Sequence, residues 1–172
     1  MKKLLALILA LICVLSIVGC GTQEPAGNST AVPDDFSFAL TWNVFGISSY
    51  DSQTGKLIKT TDATRPEDYV TYYKLTNEEK EYIYNLLTDL DVDSYPDIYD
   101  PQNGMSESDA TLILTVRMNG KTKTIKAEHI SLFFVSKDKK GQLFLDTCEA
   151  ISNSLESTEE WKALPDYENL YE

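Results

Sequence analysis

One predicted hairpin constrains the fold of this 172-residue chain more than any other segment. In 110–118, large apolar residues alternate with other residues, which predicts a strand with one buried face. Asn119-Gly120 follows and favours a two-residue turn, because both residues tolerate a positive φ. The turn pairs apolar residues across 110–118 and 121–128, Leu114 with Ile125 and Leu112 with Ala127. The matching faces predict an antiparallel pair in this register.

The other segments of the chain predict further strands and two helices. Alternating apolar residues predict a strand over 36–42, and a tract rich in Tyr, Thr and Val predicts one over 69–75. Segments 44–50 and 56–61 flank a polar loop that contains Gly55, which predicts a hairpin of two strands. The capping box in 76–79 starts a predicted helix over 77–90, whose apolar stripe is Tyr82, Ile83, Leu86, Leu87 and Leu90. A second stripe, with Phe144, Cys148, Ile151 and Leu155, predicts a helix over 142–156 after a polar loop at 137–141.

The remaining signals complete a predicted α+β domain. Residues 130–135 form a further candidate strand, and Ser157 with Glu160 predicts a capped turn that ends at Pro165. The order of elements is strands, helix, strands, helix. It predicts a mainly antiparallel sheet of about five to six strands, with two helices packed on one face.

The first 20 residues carry an export signal. Met1-Lys2-Lys3 precedes a nearly unbroken apolar run, Leu4 to Val18, which is shorter than the roughly 20 residues of a membrane-spanning helix. The end of this run, Leu15-Ser16-Ile17-Val18-Gly19-Cys20, resembles the lipobox of bacterial lipoproteins. The resemblance implies removal of 1–19, acylation of Cys20 with diacylglycerol and palmitate, and anchoring on the extracytoplasmic face of the cell membrane. The alternative is an ordinary secretory signal that is cleaved nearby.

The composition of the chain after the export signal limits the kinds of molecule that the protein can bind. Residues 20–35 lack apolar periodicity and predict a flexible tether, which leaves 36–172 as a single globular domain. Without Lys2 and Lys3, 13 basic side chains face 27 acidic ones, a formal charge of −14. This charge repels phosphate backbones, so we exclude nucleic acid as a partner. Proteins, cationic peptides, metal ions and neutral wall components remain permitted.

Removal of Cys13 with the signal and acylation of Cys20 leave Cys148 as the one unmodified thiol, so no internal disulfide is expected.

Several turn and cap signals occur together in a familiar order. They are Gly46-Ile47-Ser48-Ser49-Tyr50 leading to Thr54-Gly55-Lys56, the helix start at Leu75-Thr76, the loop from Tyr95 to Asp100, and 115–124 around Asn-Gly-Lys. Together they resemble a family of small secreted or lipid-anchored bacterial domains of unknown function, over most of 36–160. The chain lacks the paired cysteines of some members. The resemblance implies an α+β fold and no particular activity.

An acidic stretch suggests a metal site. Its carboxylates, counted from the first, match positions 1, 3, 5, 9 and 12 of a calcium-binding loop: Asp89, Asp91, Asp93, Asp97 and Asp100. Position 6 is Ser94, where such a loop has glycine, and Pro96 stiffens its middle. The alternative is a helix end followed by a solvated acidic loop. No other cofactor is predicted.

Tyrosines supply candidate ligand-binding residues. Tyr69 and Tyr73 share one face of their predicted strand and Tyr72 takes the other. One of these faces is core, and the other could present its rings to a glycan or a peptide. The alternative is that these tyrosines fill the core.

His129 and Cys148 are the residues that a nucleophilic catalytic site would use. His129 is the single histidine and lies just after a predicted strand, whereas Cys148 lies on a predicted buried stripe of a helix.

Two function classes follow from these patterns. The first is a non-enzymatic module on the membrane surface that binds a protein, a cationic peptide or a wall component. The second is a hydrolase built from scattered carboxylates such as Glu107, Asp109 or Glu128. No nucleophile elbow or zinc spacing accompanies His129. The sequence therefore favours a binding module without a catalytic residue, and calcium binding is a further alternative.

Overall fold

In a computed structural model of the chain, the structure describes residues 31–42, 48–59, 69–104, 110–131 and 135–165. These ranges contain seven strands, three α-helices and a 3-10 helix at Val92–Ser94. The strands are β1 (Ser37–Trp42), β2 (Ser48–Asp51), β3 (Lys56–Ile58), β4 (Val70–Tyr72), β5 (Ile98–Tyr99), β6 (Ala110–Met118) and β7 (Lys121–Ile130). The helices are α1 (Asn77–Leu90), α2 (Lys139–Glu156) and α3 (Glu159–Lys162).

The strands form one sheet in the order β4-β3-β2-β1-β6-β7-β5. Every neighbouring pair is antiparallel except β5 and β7, which are parallel. Alternate strand residues, among them Phe38, Leu40 and Leu114, are fully buried in one core with the apolar stripes of the helices. The α+β prediction is confirmed, with a sheet slightly larger than expected.

The hairpin between β6 and β7 has the predicted register. Leu114 lies opposite Ile125 and Leu112 opposite Ala127. The φ angles of Asn119 and Gly120 are 53° and 71°, as a turn with two left-handed residues requires. Strand β7 runs two residues further than predicted, to Ile130, and its register with β6 shifts between Ala110 and Leu112.

Helix α1 has the predicted bounds. Its capping box is complete, because the Glu79 backbone N–H donates to Thr76 Oγ1 at 3.2 Å and the Thr76 N–H donates to Glu79 Oε2 at 2.8 Å. The predicted stripe is wrong at Tyr82, which is exposed, whereas Tyr84 is buried. The buried residues Ile83 and Leu87 define the core-facing line, and Tyr82 lies about 100° away from Ile83 around the helix.

Helix α2 begins at Lys139, three residues before the predicted start. Asp138 caps it by accepting a hydrogen bond from the Gly141 N–H at 2.9 Å, so 139–141 form its first turn and not a loop. Gly141 is buried with its Cα against the Pro101 carbonyl, where a Cβ would collide. The predicted stripe of Phe144, Cys148, Ile151 and Leu155 is fully buried, as expected.

The cap of α3 differs from the prediction. Thr158, not Ser157, accepts the hydrogen bond that starts the helix, from the Trp161 N–H at 3.2 Å. Ser157 instead ends α2, because its backbone N–H still donates to Asn153.

Several predicted strand bounds also change. β1 begins at Ser37, β2 ends at Asp51, and β4 comprises only Val70–Tyr72 of the predicted 69–75. The predicted parts 44–47 and 60–61 lie outside the described residues, as do 132–134 of the candidate strand 130–135. Strand β5 was not predicted. It forms through its pairing with β7, where the Lys126 N–H donates to the Asp97 carbonyl at 2.8 Å.

The predicted tether extends too far. Val32 and Pro33 are half-buried, and Val32 packs against the core. The Asp35 carboxylate accepts hydrogen bonds from the backbone N–H groups of Asn119, at 3.0 Å, and Gly120, at 2.6 Å. The compact unit therefore begins at Val32 and not at residue 36.

Candidate functional site

The face of the sheet opposite the helices, which we call the open face, carries polar side chains interspersed with apolar ones. The pairing aligns these side chains in two rows that cross the strands. The first row is Tyr72, Lys56, Asp51, Ala39, Thr115 and Thr124. The second row is Val70, Ile58, Ser49, Thr41, Ile113, Lys126 and Ile98. At about 4.8 Å between strands, the row across six strands extends about 24 Å and the row across seven strands about 29 Å.

The middle of the open face is concave because its side chains are small. Ala39, Thr41 and Ser49 lie between larger groups toward the β4 edge, where Tyr72 is 67% exposed. The resulting trough has a volume of about 380 Å³ and is lined by Ala39, Thr41, Ser49, Asp51, Lys56 and Ile58. A trough of this size lies within the range of small-molecule sites.

The trough offers both donors and acceptors of hydrogen bonds. Asp51 and Lys56 face each other across β2 and β3, and neither forms an ion pair among the described residues. Asp51 Oδ1 accepts the Gln53 N–H at 2.8 Å, which holds the carboxylate in place. The hydroxyls of Thr41 and Ser49 lie in the neighbouring row. Such a surface can bind a polar, uncharged ligand by several simultaneous hydrogen bonds.

The three candidate tyrosines occupy different environments. Tyr72 projects from the open face, directly opposite Lys56. Tyr73 is half-buried on the helix side, and its hydroxyl donates to the Glu79 carboxylate at 2.6 Å. Burial and this hydrogen bond raise the pKa of Tyr73. Tyr69 is half-buried before β4, and its carbonyl accepts the Lys59 N–H at 3.0 Å. Tyr72 alone of the three presents its ring to solvent on the open face.

The five candidate calcium ligands do not converge. Asp89 is exposed on α1, Asp91 ends that helix with a φ of 54°, and Asp93 is exposed on the 3-10 helix. Asp97 forms an ion pair with Lys123 at 2.6 Å. The Asp100 carboxylate accepts a hydrogen bond from the Gln102 N–H and contacts the His129 ring. Within the described residues, no group of three acidic, histidine or cysteine side chains is placed to share a metal ion. The geometry gives the calcium hypothesis no support.

The single histidine and the buried thiol lie on different elements, His129 on β7 and Cys148 on α2. His129 is within β7 and not after it, with a φ of 57° at the register shift, and its Nδ1 is 3.3 Å from Asp100 Oδ2. Cys148 is fully buried, and desolvation raises the pKa of its thiol. A buried, protonated thiol is a poor nucleophile, so Cys148 serves as a core residue.

Cys20, Glu107 and Asp109 lie outside the described residues. Glu128 lies on β7, with Oε1 3.8 Å from Lys126 Nζ. In the part of the chain that the structure describes, no helix is long and apolar enough to cross a membrane.

The sequence named Tyr72, which lies beside the trough, as one of three candidate tyrosines, but it named none of the residues that line the trough as candidates. Thr41 lies in one short alternation of polar and apolar residues, and Ser49 and Asp51 lie in another. Such alternations indicate which residues of a strand share a face, but not which strands are neighbours. The alternating small residues of β1 were the available signal for a concave surface.

Comparison of the sequence with models of protein families finds no match, and no curated protein matches it either.

Proposed function

We propose that the protein is a lipid-anchored, extracytoplasmic binding module whose trough binds a neutral glycan of the cell wall. The observation that carries the proposal is the solvent-open trough itself, in which hydroxyls, one carboxylate and one ammonium group surround a floor of small residues beside Tyr72. In this proposal, residues 1–19 direct export, Cys20 carries the lipid, and the tether ends at about residue 31.

The chemistry of the trough supports a neutral polyol over other ligands. Sugar hydroxyls both donate and accept hydrogen bonds, which suits Asp51 as an acceptor and Lys56 as a donor. The ring of Tyr72 provides an apolar face with a polar edge, suited to stacking against a sugar ring. A typical protein interface has a more apolar centre than Ala39, Thr41 and Ser49 provide.

Electrostatics also favour a neutral ligand. The formal charge of −14 after removal of 1–19 repels polyanions such as nucleic acids at long range. On the trough, Asp51 and Lys56 compensate each other, so an uncharged chain meets no net local charge.

The carboxyl groups of Asp35 and Glu79 lack the raised pKa of a catalytic acid. A carboxylate-based hydrolase requires an acid whose pKa is raised. Among the described residues, the carboxyl groups of Asp35 and Glu79 have shifted pKa values, and both shifts are downward. Burial opposes ionisation of Glu79, but hydrogen bonds from Tyr73 and Thr76 outweigh it.

The test is binding of the full chain, in a neutral detergent, to purified wall glycan and to soluble neutral chito-oligosaccharides. Tyr72→Ala is expected to weaken binding about tenfold, since loss of one aromatic contact costs roughly 1.5 kcal/mol. Tyr82→Ala is the matched control, because Tyr82 is an exposed tyrosine on α1. Equal affinities of the two variants, or no binding to either glycan by the unaltered chain, would contradict the proposal.

A further inference from the structure

The trough carries one carboxylate and one ammonium group that face each other without forming an ion pair. Asp51 and Lys56 are opposite residues of β2 and β3, at the last pair before the turn that contains Gly55. The Cβ atoms of such opposite residues lie about 5 Å apart, yet neither side chain forms an ion pair with the other or with another described residue. A strong acceptor and a strong donor therefore flank a gap that a ligand group can fill.

Both charged groups can accept a further partner. Among the described residues, the Asp51 carboxylate accepts a hydrogen bond from the Gln53 N–H at Oδ1, which leaves Oδ2 open. The Lys56 side chain is exposed. Ala39, opposite Asp51, and Ile58, two residues after Lys56, are half-buried and add apolar groups to the lining. Each charged group thus has an apolar side chain beside it.

This combination of groups matches an amide that carries a methyl group. An amide presents its N–H donor and its C=O acceptor on different atoms of one planar group, so it can bind a carboxylate on one side and an ammonium group on the other. A hydroxyl donates and accepts at a single atom, so it spans a narrower gap. Because both partners in the trough are charged, each hydrogen bond is roughly twice as strong as one between neutral groups.

We propose that the trough selects sugars that carry an acetamido group, and that Asp51 and Lys56 determine this specificity. The acetamido N–H donates to Asp51 Oδ2, its carbonyl accepts from Lys56 Nζ, and its methyl group packs against Ala39 and Ile58. The inference rests on the proposed glycan function and names the class of sugar. A free amino sugar is disfavoured, because its ammonium group would lie beside that of Lys56.

The test is calorimetric titration of the full chain, in a neutral detergent, with three uncharged probes. N-acetylchitotriose carries the acetamido group, and cellotriose has the same linkage with a hydroxyl in its place. N-acetyltrialanine amide carries amides without a sugar ring. N-acetylchitotriose is expected to bind at least about tenfold more tightly than either other probe, as loss of a charge-assisted hydrogen bond implies.

The outcomes separate this inference from the proposed function. Binding of cellotriose as tight as that of N-acetylchitotriose would overturn the inference and leave the glycan function in place. Binding of the peptide as tight as that of N-acetylchitotriose would overturn the inference in favour of a peptide ligand. Binding of neither sugar would contradict both.

Two double variants that each remove one acid and one base test the roles of Asp51 and Lys56. Asp51→Asn, Lys56→Met is expected to lower the preference for N-acetylchitotriose over cellotriose to about threefold or less. Glu128→Gln, Lys126→Met is the matched control on β7, where Glu128 Oε1 lies 3.8 Å from Lys126 Nζ, and is expected to keep the preference. Both sugars are measured on the same protein, so the ratio of their affinities does not depend on the fraction that folds. An unchanged preference in the first variant, or an equal loss in both, would overturn the inference.

Discussion

Asp35 joins two segments that are more than 80 residues apart in the chain. Its carboxylate accepts the backbone N–H groups of Asn119 and Gly120, which form the turn between β6 and β7. These hydrogen bonds, from Gly120 first and Asn119 second, lower the pKa of Asp35 below its ordinary value of 3.8. A carboxylate that is bound in this way fixes the beginning of the compact unit to its longest hairpin.

Replacing Asp35 is expected to destabilise the protein in a pH-dependent way. Because the folded-state pKa is lowered, the ionised carboxylate contributes stability above pH 3.8, and this contribution is lost as the pH falls through the lowered pKa. Asp35→Asn should therefore lower the thermal midpoint at pH 7, and the difference from the unaltered chain should shrink below pH 3.8. Asp34→Asn is the control, since Asp34 is an exposed neighbour. Identical midpoints of both variants at pH 7 would refute the role of Asp35.

At the scale of elements, the left-handed backbone conformation of Asn119-Gly120 restricts which residues this turn accepts. Gly120 has a φ of 71°, and a Cβ added there would meet no atom within 4 Å. A side chain at this position would therefore be strained by its backbone conformation and not by a collision.

Gly120→Val is consequently expected to lower the free energy of unfolding by about 1–2 kcal/mol, the cost of a left-handed conformation for an L-residue. Asn119→Gly is the control, because glycine adopts the φ of 53° at that position without strain. Urea denaturation of both variants measures the difference. A loss in Asn119→Gly as large as that in Gly120→Val would show that the turn sequence acts through contacts and not through φ.

Elements that depend on neighbouring residues could be predicted from the sequence, and those that depend on distant contacts could not. The hairpin has the expected register and α1 the expected bounds, because Asn119-Gly120 and the capping box of Thr76 and Glu79 act within a few residues. Strand β5 forms because the Asp97 carbonyl accepts a hydrogen bond from the Lys126 N–H of β7. The alternation of residues along a strand carries no information about such a long-range contact. The sequence identified Tyr72 as a candidate, but not that it shares a row of the open face with Lys56 and Asp51. That row follows from the pairing of β2, β3 and β4.

At the scale of the whole molecule, the helices on one side of the sheet and the open face on the other differ in charge. Carboxylates are concentrated on the exposed side of the helical layer, as in Glu78, Glu81 and Glu149. The rows of the open face contain Lys56 and Lys126 with the single carboxylate of Asp51. The helical layer therefore accounts for much of the anionic field, while the open face is close to neutral and accessible to an uncharged ligand.

The three cysteines provide an internal test of the proposed anchor. Each occupies a different setting: Cys13 lies in the apolar run, Cys20 follows Gly19, and Cys148 is buried in the core. Cys20→Ala is expected to abolish incorporation of a labelled palmitate analogue and to release the protein from the membrane fraction, since acylation at one thiol supplies the hydrophobic attachment. Cys13→Ala should incorporate label as the unaltered chain does, and so should Cys148→Ala, because desolvation raises the pKa of that thiol and burial shields it. Incorporation that survives in Cys20→Ala would exclude Cys20 as the anchor, and incorporation lost in Cys13→Ala would place the acceptor within the apolar run.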